Sequence, residues 1–308
     1  MKDASRPEIG ERVAIGAWFA IALGITLRLV FARDLERQNV YLKVFAPAAE
    51  AFQARLPMYA AGSGFRYPPI AAWMLGAFEA MGPWLGSVAW RLCNMGVLLL
   101  GLRASFRSGL PMTLQSGERA FVLALTAIVG IGGFNNGQAN ALLLGCVLLA
   151  SAGVAMSRSA APAGWVALAT GFKVYPFAFG MVLTVLRPRL VWGMVLGLLA
   201  VVVLPYAVAP ADYVTEQYRA LVEGLGHEDR TGDLSDAYRD LRLVTASMGW
   251  AMPQYVFVLL QGLGGLLVAL LAFLLRRRDE AAAVAFATSA TLCWMLLLGP
   301  STEKVTYQ

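Results

Sequence analysis

The feature that most constrains this chain is a set of long, unbroken apolar stretches. Leu190 to Ala209, Trp250 to Leu275 and Ala281 to Pro300 contain no charged residue, and Ala139 to Met156 is nearly as clean. A helix crossing a bilayer needs roughly 20 consecutive apolar residues, because hydrocarbon offers no partner for an exposed peptide group. Val13 to Phe31 qualifies as well, its single charge, Arg28, lying close enough to one end to reach the headgroups. With 58% hydrophobic and only 14% charged residues, the chain cannot cover a water-soluble surface.

Three further stretches are apolar but flawed. Tyr67 to Gly82 contains Glu79, Pro83 to Leu102 contains Arg91 and Asn94, and Ala161 to Leu186 contains Lys173 and Pro176; Arg119 to Phe134 is a shorter ninth candidate. An ionisable residue or helix breaker at membrane depth is costly unless it faces protein, water or substrate. The expectation is an all-α fold, a polytopic membrane helical bundle of roughly 9–11 transmembrane or re-entrant helices. Residues 1–308 read as a single integral membrane domain in the cell (inner, cytoplasmic) membrane. Val13 to Phe31 is too long for a signal-peptide core and reads as a retained anchor. The chain stops soon after its last apolar stretch, which suggests a C-terminus cut short.

Charge supplies the orientation. Arg276, Arg277 and Arg278 follow one clean span, and Arg187 with Arg189 precedes another, so both clusters are expected in the cytoplasm. The large loop between those spans, about residues 210–248, then lies outside, and it carries eight acidic residues against four arginines. Keeping Arg103, Arg107, Arg119 and Arg158 inside requires Ala161 to Leu186 to be a hairpin of two short helices meeting near Lys173 and Pro176. It also places Asn135 to Asn140 and a first loop, about residues 32–66, outside. One count resists: Tyr67 to Leu102 must cross an odd number of times, yet it reads as a helical pair.

The net charge of +6 sits singly or in short clusters at segment ends, which is a topology signal and argues against nucleic acid as a partner. Cys93, Cys146 and Cys293 lie within apolar segments and share no metal-ligand spacing. No metal site and no cofactor are expected.

The polar motifs gather on the external side. In the first loop are Asp34, Glu36, Asn39, Tyr41 and Tyr59, followed by Phe65-Arg66-Tyr67-Pro68-Pro69, whose paired prolines fix an extended approach to the next helix. Asn135-Asn136-Gly137-Gln138-Ala139-Asn140 opens an apolar helix; its amides can cap the helix end or bind sugar hydroxyls. Gly171-Phe172-Lys173-Val174-Tyr175-Pro176 puts a lysine at a helix break, where its ammonium either meets an anion such as a lipid phosphate or reaches for the interface.

Tyr-Pro-Pro, then Gly-Gln-x-Asn, then a lysine-proline break about 35 residues on, resembles glycosyltransferase family 87 from Val40 to about Arg189. Ala237 to Arg242 and Gly299 to Glu303 resemble further motifs of a subgroup. The resemblance implies a GT-C enzyme, a mannosyltransferase-like hexosyltransferase. Such an enzyme moves a hexose, mannose being the leading candidate, from a polyprenyl-phosphate sugar to a glycan or glycolipid acceptor on the extracytoplasmic face. It implies inversion, with a carboxylate general base in the first external loop and basic groups on the departing phosphate.

The family's acidic residue lies about four positions before the Val-Tyr pair, and here that position is Arg37. Asp34 and Glu36 are the nearest substitutes and are taken as catalytic candidates, with Glu50 a further choice. Arg66, Lys173 and Arg239 are candidate phosphate contacts. Tyr41, Tyr67, Asn136, Gln138, Asn140, Asp240 and Glu303 are candidate sugar or acceptor contacts, and the last two can also supply a base. His227 reads as a solvated loop residue. Two other classes compete: a catalytically inactive membrane scaffold, which Arg37 favours, and a lipid-linked sugar translocase, which requires an internal repeat.

Overall fold

The computed structural model describes residues 9–31, 34, 39–60, 63–110, 113–158, 160–226 and 241–298. The described residues are helical, with no strand. The helices run in chain order as α1 (Ile9–Val30), α2 (Ala46–Ala54), α3 (Pro69–Glu79), α4 (Pro83–Ser108), α5 (Ser116–Asn136), α6 (Asn140–Ala155), α7 (Ala161–Phe172), α8 (Pro176–Leu186), α9 (Val191–Val208), α10 (Ala211–Gly226), α11 (Leu241–Ser247), α12 (Gln254–Arg276) and α13 (Glu280–Leu298). A π-helical turn, Tyr41–Phe45, leads into α2, and a 3-10 turn, Pro188–Leu190, leads into α9. The expected all-α polytopic bundle is therefore the fold.

Among the described residues, six helices are long and apolar enough to cross a bilayer: α1, α4, α5, α9 with its leading turn, α12 and α13. Helix boundaries follow local chemistry. Proline occupies one of the first two positions of α2, α3, α4, α7 and α8, where its missing N–H costs nothing and its fixed φ suits the helix. A capping box of Gln115 and Glu118 starts α5, and Gly137 in the left-handed region ends it.

Ala161 to Leu186 is the hairpin that the charge pattern demanded. Helix α7 has 12 residues and α8 has 11, with Lys173 to Tyr175 between them. At 1.5 Å per residue each rises about 17 Å, well short of the hydrocarbon thickness.

The odd count between Tyr67 and Leu102 also has an explanation. Helix α4, with 26 residues, is a full span, whereas α3 has 11. Helix α3 packs along α2 and turns back at Ala80 to Gly82 into the start of α4. Glu79 ends α3, where the Gln53 amide donates to its carboxylate at 3.1 Å on the exposed side.

Helices α4 and α6 form the central pair. A Cβ on Gly101 would come within 2.7 Å of the Gly145 carbonyl, and one on Gly145 within 2.6 Å of the Val97 backbone. Two glycines facing each other let the backbones touch, the usual means of tight helix association in lipid. Helix α5 packs chiefly on α1, where the Trp18 indole donates to the Leu123 carbonyl at 3.0 Å, and α13 packs on α12, α6 and α8.

The two ends of the bundle differ. At one end Arg187 pairs with Glu280 at 2.5 Å and donates to the Ser157 hydroxyl at 3.1 Å, Arg276 donates to the Val185 carbonyl, and Arg119 lies 3.7 Å from Glu11. These contacts join the ends of helices that the basic-residue argument assigned to a common side. The opposite end holds α2, α3, α10, the turn 137–139 and the break at Lys173.

Candidate functional site

At that opposite end the separate sequence motifs meet. Trp90, two turns inside α4, donates its indole N–H to the Gly137 carbonyl at 2.7 Å. Its ring lies 5.4 Å from Phe172, 5.6 Å from Phe45 and 5.4 Å from Phe78. Phe45 in turn meets Tyr67 edge-on at 5.1 Å. One aromatic hub thus binds the first loop, the Tyr-Pro-Pro segment, the amide turn and the lysine break into a single body, with Trp90, Phe45 and Phe172 all buried.

The lysine break and the amide turn also touch directly. Lys173 Nζ donates to Asn140 Oδ1 at 3.2 Å, and Asn140 Nδ2 donates to Gln138 Oε1 at 3.0 Å. Asn140 is the first residue of α6, but no side chain caps that helix, so the amide serves the lysine in place of the helix end. The chain Lys173 to Asn140 to Gln138 fixes the orientation of each group, and the Tyr175 ring centroid lies 5.7 Å from the ammonium. In this bond the ammonium of Lys173 meets the neutral oxygen of Asn140, which orients it.

Arg91 is the strongest feature that the motifs did not point to. It is 2% exposed, and its guanidinium donates to Ser87 through both carbonyl and hydroxyl, to Asn39 Oδ1 at 3.0 Å, and twice to the Asn135 carbonyl at 2.9 and 3.2 Å. Five N–H groups meet neutral acceptors on three segments: the first loop, α4 and the end of α5. The Asn39 amide completes the ring by donating to the Ser87 hydroxyl at 3.1 Å. The signal was present, since an arginine inside an apolar stretch must find compensation; the partners were not, because they lie 44 and 52 positions away.

The other candidates are placed as follows. Tyr41 is fully buried in the π-helical turn, its hydroxyl pressed against α4 at Gly86, where a Cβ would come within 2.6 Å of it. Burial raises its phenol to a pKa of about 12, with the Glu79 charge adding to the shift. Tyr67 is half-buried and accepts the Tyr59 hydroxyl on its carbonyl at 2.6 Å. Arg66 and Asp34 are exposed, Asn136 is half-buried at the end of α5, and Gln138 is 8% exposed. Glu50 is exposed on α2. Glu36, Arg37, His227, Arg239, Asp240 and Glu303 lie outside the described residues.

Helix α10 closes this end. Gln217 accepts the Met58 backbone N–H at 3.0 Å, Tyr213 donates to the Leu56 carbonyl at 2.9 Å, and Arg55 donates to the Val208 carbonyl at 2.9 Å. The large loop is thereby fastened to the first.

A polytopic helical bundle with a broken helix, a lysine at the break and amides around it, all at one end, defines a membrane protein with a polar cluster at one end of its helices. Residues 65–300 match glycosyltransferase family 87. The match covers most of the chain, and the chain belongs to that family: it is a membrane glycosyltransferase. No curated protein and no solved structure matches it significantly.

Proposed function

We propose that this glycosyltransferase moves a hexose, mannose being the first candidate, from a polyprenyl-phosphate sugar to a glycan or glycolipid acceptor on the extracytoplasmic face of the cell membrane. The observation that carries the reading is the Lys173–Asn140–Gln138 chain at the break between two half-length helices. There the ammonium is oriented by a neutral amide, and a cation held within an apolar bundle favours an anionic group such as a lipid phosphate.

The chemistry follows from that placement. An acceptor hydroxyl loses its proton to a carboxylate of the first external loop, Asp34 or Glu36, as its oxygen attacks the anomeric carbon. The C–O bond to the phosphate breaks on the opposite face, the configuration inverts, and the electron pair leaves with the lipid phosphate. Lys173 stabilises that anion more strongly as its charge develops, which is the condition for lowering the barrier. Arg66 and Arg239 are the further basic candidates, and Gln138, Asn140, Asn136 and Tyr67 the polar groups nearest the sugar.

The test is transfer of labelled hexose by the purified protein from a polyprenyl-phosphate sugar, together with Asp34→Asn and Glu36→Gln. Loss in one of the two supports the assignment. Full activity in every single acidic variant of the external loops excludes the carboxylate base. Arg37 at the family's acidic position favours a second reading, an inactive lipid-binding scaffold. In that case the lipid binds through Lys173 and no donor turns over.

A further inference from the structure

Ser87 and Arg91 lie four residues apart on one face of α4, and both are buried. Toward the first loop, Arg91 reaches Asn39, also buried, which stands three residues after Glu36 and five after Asp34. Asn39 Oδ1 accepts from Arg91 at 3.0 Å and from the Leu42 N–H at 3.3 Å, while its Nδ2 donates to Ser87 at 3.1 Å. One amide thus ties the start of the π-helical turn to α4, and the end of the carboxylate-bearing loop is pinned there.

Toward the amide turn, the same guanidinium donates twice to the Asn135 carbonyl, one of the last carbonyls of α5, where a cation also meets the negative end of the helix dipole. Gly137 follows at φ +72°, and a Cβ on it would lie 3.1 Å from the guanidinium carbon, so the turn closes directly on Arg91. Gln138 and Asn140, the amides joined to Lys173, come next in the chain. The partners of Arg91 among the described residues are all neutral, and a neutral side chain could join either segment to α4 without burying a charge. What the rigid, planar fork adds is a fixed spacing between the two segments.

We propose that Arg91 is a positioning residue for sugar transfer, a role that rests on the carboxylate base proposed above: by clasping Asn39 and Asn135 it sets the reach from the first loop to the Lys173–Asn140–Gln138 chain. Attack and departure occur on opposite faces of the anomeric carbon. The group that takes the proton and the group that receives the phosphate charge must therefore stand at a fixed separation. All five N–H donors of Arg91 are spent on protein, so it acts through these partners and not on substrate.

Arg91→Lys is expected to lose stability, so the test breaks the clasp at its far end. Asn39→Ala removes the acceptor on the first loop and leaves Ser87 and Asn135 in place. With the full protein in nanodiscs, a polyprenyl-phosphate hexose and an acceptor, it should lower kcat about tenfold. KM for the donor should stay within about twofold of the parent, because binding at Lys173 is untouched. Asn39→Asp, whose carboxylate can accept from the same guanidinium, should recover kcat to within about threefold. Ser151→Ala is the stability control. It breaks a buried 2.8 Å hydrogen bond to Thr288, about 16 Å along α6 from Asn140, and should lower the melting temperature while kcat holds.

Spin labels on Asp34→Cys and Val174→Cys, both exposed positions, read the same spacing without turnover. With Cys93 and Cys293 replaced by serine, the parent should give one narrow distance distribution by double electron–electron resonance, and Asn39→Ala a broadened one. Parental kcat in Asn39→Ala would overturn the proposal. So would an equal loss in Ser151→Ala, or a loss that Asn39→Asp fails to recover. Broadening in Asn39→Ala without sugar transfer by the parent would uphold the clasp and refute the proposed reaction. Transfer by the parent, with kcat and distances unchanged in Asn39→Ala, would do the reverse.

Discussion

Lys173 Nζ lies 3.2 Å from Asn140 Oδ1, joining the break between α7 and α8 to the first residue of α6 across 33 positions of sequence. The contact unites the lysine break and the amide turn. The Asn140 oxygen is neutral, so this bond orients the ammonium without adding a countercharge.

Lys173→Gln is accordingly expected to lower kcat/KM for a lipid-phosphate donor by about a hundredfold, in line with losing one preorganised charge contact to a developing anion. Asn140→Asp should be nearly as damaging, because a carboxylate at that distance neutralises the ammonium. Asn140→Ala should cost about tenfold, through lost orientation alone. Steady-state kinetics with the three variants would separate charge from geometry; equal effects for Asp and Ala would argue against the electrostatic role.

Arg91 tests a structural claim. Arg91→Lys keeps the charge but cannot satisfy the Asn39, Ser87 and Asn135 acceptors together, since an ammonium has three donors on one centre. Leaving buried acceptors unpaired should lower stability by about 2–4 kcal/mol. Thermal unfolding in detergent is the measurement, and a melting temperature equal to that of the parent would contradict the assignment.

Tyr41 and Gly86 make a paired prediction. The Tyr41 hydroxyl has no hydrogen-bond partner among the described residues, so Tyr41→Phe should be neutral or slightly stabilising near pH 8, whereas Gly86→Ala forces a Cβ to within 2.1 Å of the Phe78 carbonyl and should unfold the α3–α4 turn. The native phenol holds its proton up to about pH 12, against 10.0 for an ordinary tyrosine. Its contribution to stability is therefore complete below pH 10 and lost as pH rises towards 12. Melting curves of Tyr41→Phe across that window should fall less steeply than those of the parent.

The α4–α6 contact is expected to be intolerant of bulk. Gly145→Leu should abolish a folded, monodisperse protein, because the colliding atoms belong to the Val97 and Leu98 backbone and cannot move aside. Gly96→Ala, on the same α4 where nothing lies within 4 Å, should leave size-exclusion behaviour unchanged.

Much of this was legible in the sequence because bilayer constraints act locally. Apolar length marked the spans, basic clusters marked one end, and Lys173 with Pro176 marked a break that proved to separate helices of 12 and 11 residues. The resemblance of three short motifs led to the family that the chain matches.

What stayed hidden depended on long-range packing. Composition does not distinguish an 11-residue helix lying against α2 from half of a transmembrane pair, which is why the crossing count failed at Tyr67 to Leu102. The cage around Arg91 needs acceptors from two distant loops, and Asn39 and Ser87 carry no local mark of that task. The role of Asn140 was divided between capping and ligand binding; the structure gives its amide to Lys173 and Gln138.

The central claim is most directly tested by offering the purified protein, in nanodiscs, a panel of sugar donors and measuring hexose transfer. Turnover of a polyprenyl-phosphate hexose, absent with nucleotide sugars and lost in Lys173→Gln, is the predicted result. Transfer from a nucleotide sugar without any lipid donor, or undiminished transfer in Lys173→Gln, would contradict the account.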